Sequence, residues 1–307
     1  MGIVGLPKAG KTTLFNVLTG AGVDPAAYTD KPHLGMAQIE DERLAEVAGA
    51  VGSPRQTPAA IRMLDAVGTS AAQLGTLRRA DALLAVLDGF SRGADPAADL
   101  VTLELDLLVA DRDHVERRLE RVRRDAKSGE AALREAVEAL ERVLAHVEAG
   151  RSLRDFPGGL PPELELLTAT PMVTVENGPG GIDAKLEAEL AELSAEEAAQ
   201  FRDGPSALNS VVAKLFDALD LIVFFTANEN EARAWTLRRG QTALEAAASI
   251  HSDIAHGFVR CEVIGWSDLV ESGSRAEAAR RGLQRLEGKS YAVQEGDVLN
   301  VRFTPPR

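Results

Sequence analysis

Gly5-Leu6-Pro7-Lys8-Ala9-Gly10-Lys11-Thr12, preceded by Met1-Gly2-Ile3-Val4 and followed by Thr13-Leu14-Phe15-Asn16-Val17-Leu18, decides how the rest of the chain is read. It fits G-x-x-x-x-G-K-[ST], with a short apolar β-like run before it and an amphipathic helical pattern after it. Glycines let such a loop curl until successive N–H groups point inward at an anion, and the helix adds its unpaired N–H groups and the positive end of its dipole. Gly5, Pro7, Lys8, Ala9, Gly10, Lys11, Thr12 and Thr13 therefore read as a phosphate cradle. Lys11 can reach β- and γ-phosphates, and the Thr12 hydroxyl can ligate Mg²⁺. A Gly-rich turn with a chance Lys-Thr is the plain alternative; the flanking strand and helix patterns count against it.

Working outward, Ala59–Leu64 reads as a strand ending at Asp65-Ala66-Val67-Gly68, and Ala82–Leu87 as another ending at Asp88-Gly89. Pro171–Val175 is a further strand, ending at Glu176-Asn177. Helical patterns between them imply crossover connections, hence a parallel sheet with ligand chemistry at the strands' C-terminal ends. Asp65-x-x-Gly68 then lies where phosphate-loop enzymes place an acidic group for the Mg²⁺ water shell, with the Gly68 N–H offered to the γ-phosphate. A strand-ending Asp is usually only a turn residue; its place on the strand after a phosphate loop lifts this one above that reading. Ala21 to Gly35 is polar and loop-like, Asp41–Val51 helical, and Gln56–Pro58 loop-like.

From Leu100 to Ala149 apolar residues recur at helical spacing among dense charges, with a break at Ser128-Gly129, which predicts an antiparallel helical hairpin inserted in the nucleotide domain. Arg117, Arg121 and Arg124 share a face that could grip RNA phosphates, but the interleaved Glu116 and Glu120 favour a solvated, salt-bridged face. Pro157–Pro162 is a loop and Leu186–Gln200 an acidic helix. Beyond them, Leu221–Thr226, Glu231–Leu237, Phe258–Val263, Ser290–Val293 and Val298–Phe303 read as strands and Ala243–Ile250 as a helix. That order suits a β-grasp module, although other small α+β folds share the pattern. Trp235 reads as core, and Arg238-Arg239 as a small candidate surface.

Composition narrows the function. With 307 residues the chain has material for two or three domains, and 45% hydrophobic with 26% charged residues is globular. A net charge of −13 and only 4% aromatic residues argue against a generic DNA or RNA binder. The lone Cys261 fits a reducing compartment and reads as a buried strand residue. No run is long enough to span a bilayer and the N-terminus has no basic leader, so a cytoplasmic protein is expected. The five histidines show no zinc spacing, and His251 and His256, flanking a turn, read as structural.

Several stretches resemble one family. Gly2–Pro7 with Gly10-Lys11-Thr12-Thr13-Leu14-Phe15-Asn16 resembles the opening of the YchF group of Obg-type translation-factor GTPases. Tyr28-Thr29-Asp30-Lys31-Pro32-His33 is similar to its switch I, and Ala184-Lys185-Leu186-Glu187-Ala188-Glu189-Leu190 to the signature after its fifth nucleotide motif. Phe224-Phe225-Thr226-Ala227, Arg233-Ala234-Trp235-Thr236, Ile250-His251-Ser252-Asp253 and Leu286-Glu287-Gly288-Lys289 resemble its TGS domain. The resemblance implies an ATP- or GTP-hydrolysing, Mg²⁺-dependent, ribosome-associated protein. It places Thr29 on Mg²⁺ and Asn177, Ala184 and Lys185 at the nucleotide. The chain also departs from the pattern. The family's Asn-x-x-Glu base-reading motif has Gly180 at its fourth position, and Gly178–Ile182 stands where a helix and a further strand belong. Thr69 offers no catalytic group, and Lys8 replaces an asparagine that helps hold a monovalent cation near the phosphates. The Lys8 ammonium is expected to supply that charge itself, or else to stay solvated at the loop edge.

The expected fold is α/β: a P-loop NTPase domain in two parts (residues 1–98 and 156–219), a helical hairpin insertion (99–155) and a C-terminal TGS-like β-grasp domain (220–307). Catalysis would fall to Lys11, Lys8 and Gly68, and Mg²⁺ to Thr12, Thr29 and Asp65. The alternative is a catalytically degenerate relative serving as a translation-linked scaffold. A small-molecule kinase is disfavoured for want of a lid-like arginine segment.

Overall fold

A computed structural model describes residues 1–24, 32–66, 70–126, 131–201 and 207–305. Thr29, Gly68, Thr69 and the Ser128-Gly129 break lie outside the described residues. The chain forms two compact units, residues 1–35 with 62–211 and residues 36–61 with 212–307. The segment 36–61, which the sequence reading keeps inside the nucleotide domain, thus packs with the C-terminal residues.

One sheet consists of β1 (Gly2–Val4), β2 (His33–Ile39), β4 (Ala59–Asp65), β5 (Leu83–Asp88) and β6 (Met172–Asn177), in the order β2-β4-β1-β5-β6, and all of it belongs to the first unit except β2 from Met36 on and β4 up to Ile61. Three residues suffice for a central strand because both neighbours hold it in parallel register, Ile3 against Asp65 and Leu84. Strand β5 is a continuous apolar run, buried from Leu83 to Leu87, as a parallel strand covered on both faces requires. Helix α1 (Lys11–Thr19) follows β1, and α3 (Ala71–Thr76) follows β4.

The expected hairpin is α4 (Pro96–Asp125) and α5 (Ala131–Glu148). Its root half packs Leu103, Leu107 and Ala110 against Leu77, Leu83 and Leu167, while Val115, Leu119 and Val122 meet Leu140, Val143 and Val147. A buried carboxylate pins the root. Asp111 accepts from Arg78 Nη1 at 2.6 Å, from the Leu167 and Thr168 N–H groups at 3.1 and 2.8 Å, and from Thr168 Oγ1 at 2.8 Å. The acidic helix expected over Leu186–Gln200 is two, α6 (Ala184–Ala191) and α7 (Ala195–Gln200), because Ser194 and Glu197 form a capping box that starts a new helix. Helix α8 (Ala207–Leu219) carries the chain into the second unit.

The second unit holds α2 (Arg43–Val51), β3 (Arg55–Thr57), β7 (Leu221–Ala227), β8 (Glu231–Arg238), α9 (Ala243–Ile250), α10 (Ser252–His256), β9 (Phe258–Gly265), α11 (Trp266–Ser272), α12 (Arg275–Arg280), β10 (Arg285–Glu287) and β11 (Asp297–Phe303). Its sheet order is β10-β9-β11-β7-β8-β3. An antiparallel β7–β8 hairpin, a helix, and a last strand inserted parallel beside β7 make the β-grasp arrangement. Ile222, Phe224, Ala247, Cys261 and Val263 form its core, and burial pushes the Cys261 thiol up to about 12.

Three expectations need correction here. Ala21 to Gly35, read as loop-like, gives its last three residues to strand β2, which starts at His33. The loop-like Gln56–Pro58 overlaps strand β3, whose polar residues show no alternation; it is a strand because the backbone edge of β8 is there to pair with, Arg55 opposite Glu231. Ser290–Val293 contributes only a bridge from Ala292 to Thr242, and the edge strand is β10 instead. Around β3, Ser53 Oγ donates to the Asn228 carbonyl, and Arg43 bonds both Asp41 and Glu295.

Replacing Asp111 with Ala takes from the Arg78 guanidinium its carboxylate, leaving it only the Ala110 and Glu165 carbonyls, and leaves two N–H groups without their acceptor. Urea unfolding of the whole chain should show a loss of about 3–5 kcal/mol, and Asp111→Asn, which keeps an acceptor oxygen, a smaller one.

Candidate nucleotide-binding site

The loop after β1 folds around a buried ammonium. Lys11 is only 8% exposed, and its Nζ donates to the Gly5 and Leu6 carbonyls at 3.0 and 2.9 Å. Burial pushes its pKa down, while the nearby Asp65 pulls it back up. Gly10, with φ 91°, turns the chain into α1, whose first turn has no side-chain cap. Its N–H groups are therefore left for a ligand, as at an anion-binding helix start.

At the end of β4, Asp65 is fully buried. Thr12 Oγ1 donates to its Oδ2 at 2.8 Å, and Oδ1 has no partner among the described residues. An orphaned carboxylate oxygen costs free energy unless something binds it. A hydroxyl and a carboxylate side by side at a phosphate loop are the hard oxygen donors Mg²⁺ takes, so the residues present fit that ion. His33 brings Nδ1 to 3.5 Å from Asp65 Oδ2 and tilts its ring against Phe15. The switch I stretch ends on this histidine, but nothing in that motif assigns it to Asp65, because its place depends on β2 lying beside β4.

Asn177, at the end of β6, braces the loop from below. Its Nδ2 donates to the Ala9 carbonyl at 3.0 Å, and its Oδ1 accepts from the Ala184 N–H at 3.1 Å. A Cβ on Gly10 would lie 2.1 Å from that Nδ2, so only glycine fits there. The chain then reverses at once. Gly181 N–H bonds the Gly178 carbonyl, Ile182 N–H bonds the Glu176 carbonyl, and Asp183 caps α6 through the N–H groups of Lys185 and Leu186. No strand or helix stands between Asn177 and α6.

The structure thus gathers Gly5, Ala9, Gly10, Lys11, Thr12, Asp65, Asn177 and the Ala184 N–H into one site. Pro7 and Lys8 are exposed on the loop and Thr13 half-buried. Lys8 has φ 73°, a left-handed conformation that costs most side chains of this kind about 1 kcal/mol and suits asparagine better. The Lys185 ammonium is not brought in: it is 85% exposed and lies 3.9 Å from Glu189. Sequence reasoning also missed Asn16, whose side-chain amide bonds both the N–H and the carbonyl of Val23 and so ties down the loop after α1.

The YchF-GTPase_C family, described as a protein of unknown function, matches residues 221–304, and the MMR_HSR1 family, described as a 50S ribosome-binding GTPase, matches residues 1–130. The ribosome-binding ATPase YchF of Bacillus subtilis is 33% identical over 359 aligned positions, which cover 98% of this chain and 98% of that protein. That of Haemophilus ducreyi is 34% identical with the same coverage. These alignments are longer than the chain's own 307 residues, so the relatives carry segments absent here. The YchF GTPase of Schizosaccharomyces pombe superposes with a TM-score of 0.80 at 25% identity, over 98% of this chain and 97% of that one. A GTP-binding protein from Pyrococcus horikoshii OT3 shares the fold with a TM-score of 0.60 at 17% identity, over 99% of each chain. With the phosphate loop, the Thr12–Asp65 pair and the β-grasp unit in place along its whole length, the chain belongs to the YchF family.

Proposed function

We propose that this chain binds ATP or GTP with Mg²⁺, hydrolyses it slowly in the cytoplasm, and works in association with the ribosome. The observation that carries the nucleotide reading is the buried Asp65 Oδ1, without a partner among the described residues, beside Thr12 and next to the Lys11 ammonium in a phosphate loop whose helix has no side-chain cap. Thr12 and Asp65, with Thr29, would hold the ion, which when bound neutralises phosphate charge. Lys11 would turn from its two carbonyls to phosphate oxygens, the loop N–H groups would cradle them, and the Gly68 N–H would face the γ-phosphate. No described side chain stands as a general base, so positioning and charge neutralisation carry the attack of water on γ-phosphorus, with the nucleoside diphosphate leaving. The ribosome is the partner named for the relatives; that name supports it here.

A second reading draws support from the tight turn at 178–182, which occupies the place of base-reading elements. A chain without them would serve translation as a scaffold, through its hairpin and β-grasp unit.

Equilibrium binding of fluorescent ATP and GTP analogues, with and without Mg²⁺, separates the two. We expect Mg²⁺-dependent binding of both bases, because phosphate contacts dominate. Lys11→Ala should weaken it by roughly 10–100-fold, the worth of a charge-assisted hydrogen bond. No binding of either analogue overturns the nucleotide reading and favours the scaffold. Asn177→Ala, which frees the Ala9 carbonyl, should weaken binding of both bases to a similar extent rather than select between them.

Lys8 would place its ammonium where the family's asparagine helps hold a monovalent cation, which accounts for a lysine kept in an unfavourable backbone conformation. Hydrolysis should then be indifferent to potassium in the wild type, and Lys8→Ala should make it potassium-dependent or abolish it. Potassium stimulation of the wild type would refute this role.

A further inference from the structure

Helix α4 is apolar on two opposite sides over one short stretch. Leu103, Leu107 and Ala110 form the buried side, packed into the first unit's core. Val101, Leu105 and Val109, spaced i, i+4, i+8 along the other side, are 58%, 55% and 49% exposed. A surface helix needs only one apolar face, and a contiguous second one marks an interaction surface. Beyond Arg112 the same side becomes charged, so the stripe ends where the free part of the hairpin begins.

Two features say what the stripe fits. Val101 and Leu105, with Leu108, Gly150, Ser152 and Arg154, line a pocket of about 190 Å³ that opens beside it, a size that takes one apolar side chain. Four carboxylates border the stripe against two arginines: Glu104 on the pocket side, 3.9 Å from Arg154, and on the other side by helical spacing the half-buried Asp99 and Asp106 with Asp113, which pairs with Arg112, so the border keeps a net negative charge.

We propose that this stripe docks a basic amphipathic helix of a partner protein, which sets an apolar anchor in the pocket and lysines or arginines against the carboxylates. Charge disfavours the other occupants. RNA would bring phosphates to a border of carboxylates. A second copy of α4, paired about Leu105, would set Glu104 against the partner copy's acidic flank. The surface shares no residue with the phosphate loop, so this inference stands apart from the nucleotide reading.

The test uses the full chain and two labelled synthetic helical peptides, each with leucines at i, i+4 and i+8. One carries flanking lysines and the other flanking glutamates; binding is followed by fluorescence anisotropy. We expect saturable binding of the lysine peptide that weakens with salt and is lost with the glutamate peptide. Leu105→Asp and the double variant Glu104→Lys/Asp106→Lys should each weaken it roughly tenfold or more, while Val259→Asp, at an exposed apolar residue of the second unit, should not. Glu104, Leu105 and Val259 are exposed and Asp106 half-buried, and circular dichroism with nucleotide-analogue binding verifies that each variant folds. Absence of saturable binding, equal binding by Leu105→Asp, or equal weakening by Val259→Asp overturns the proposal. So does dimerisation of the chain that Leu105→Asp removes, which would make a second copy the occupant.

Discussion

Keeping the Lys11 ammonium out of water is the constraint around which the first unit is arranged. A charge so placed must be solvated by the chain, and the carbonyls of Gly5 and Leu6 do so only if the loop curls back over the start of α1. The curl needs Gly10 in a left-handed conformation, and the space a side chain would take there is filled by the Asn177 amide. Asn177 is in turn fixed by the first N–H of α6. Residues more than a hundred and fifty positions apart are thereby one set of mutual constraints, with the ammonium at the centre. Carbonyls solvate an ammonium less well than water does, which depresses its proton affinity and leaves it strongly attracted to any anion that arrives.

What could be read in advance follows from where the information lies. Lys11, Thr12 and Asp65 are legible because loop and strand end are encoded by local spacing. Strands β4, β5 and β6 are legible because a buried parallel strand must be an apolar run, and the hairpin because its core positions recur at helical spacing. β3 was not: Arg55-Gln56-Thr57 has no pattern of its own and takes its conformation from a strand more than 170 residues away. The approach of His33 to Asp65 and the second bond of Asn177 were hidden for a related reason, since which strand ends meet at the site is a property of the sheet. The division of Leu186–Gln200 was visible in principle, as Ser194-x-x-Glu197 is a helix-start signal inside a stretch of uniform helix formers.

The two ends of α4 do different work. Asp111 and its four hydrogen bonds lock the root of the hairpin to the short turn carrying Leu167 and Thr168. Beyond it, α4 and α5 hold one another with their own apolar seam. A long helix so anchored acts as a stiff arm, and its exposed surface is divided along its length into an apolar stretch at the root and a charged one toward the tip.

The origin of β3 bears on how the second unit would behave alone. Strand β8 has its outer hydrogen-bonding edge covered by three residues that the chain supplies between β2 and β4, long before the rest of that sheet is translated. A gene fragment encoding residues 212–307 alone would leave that edge bare, and bare strand edges invite pairing with other chains. The C-terminal unit is therefore completed by residues that come before the hairpin in the chain, and a separated 212–307 fragment should self-associate through the uncovered edge of β8.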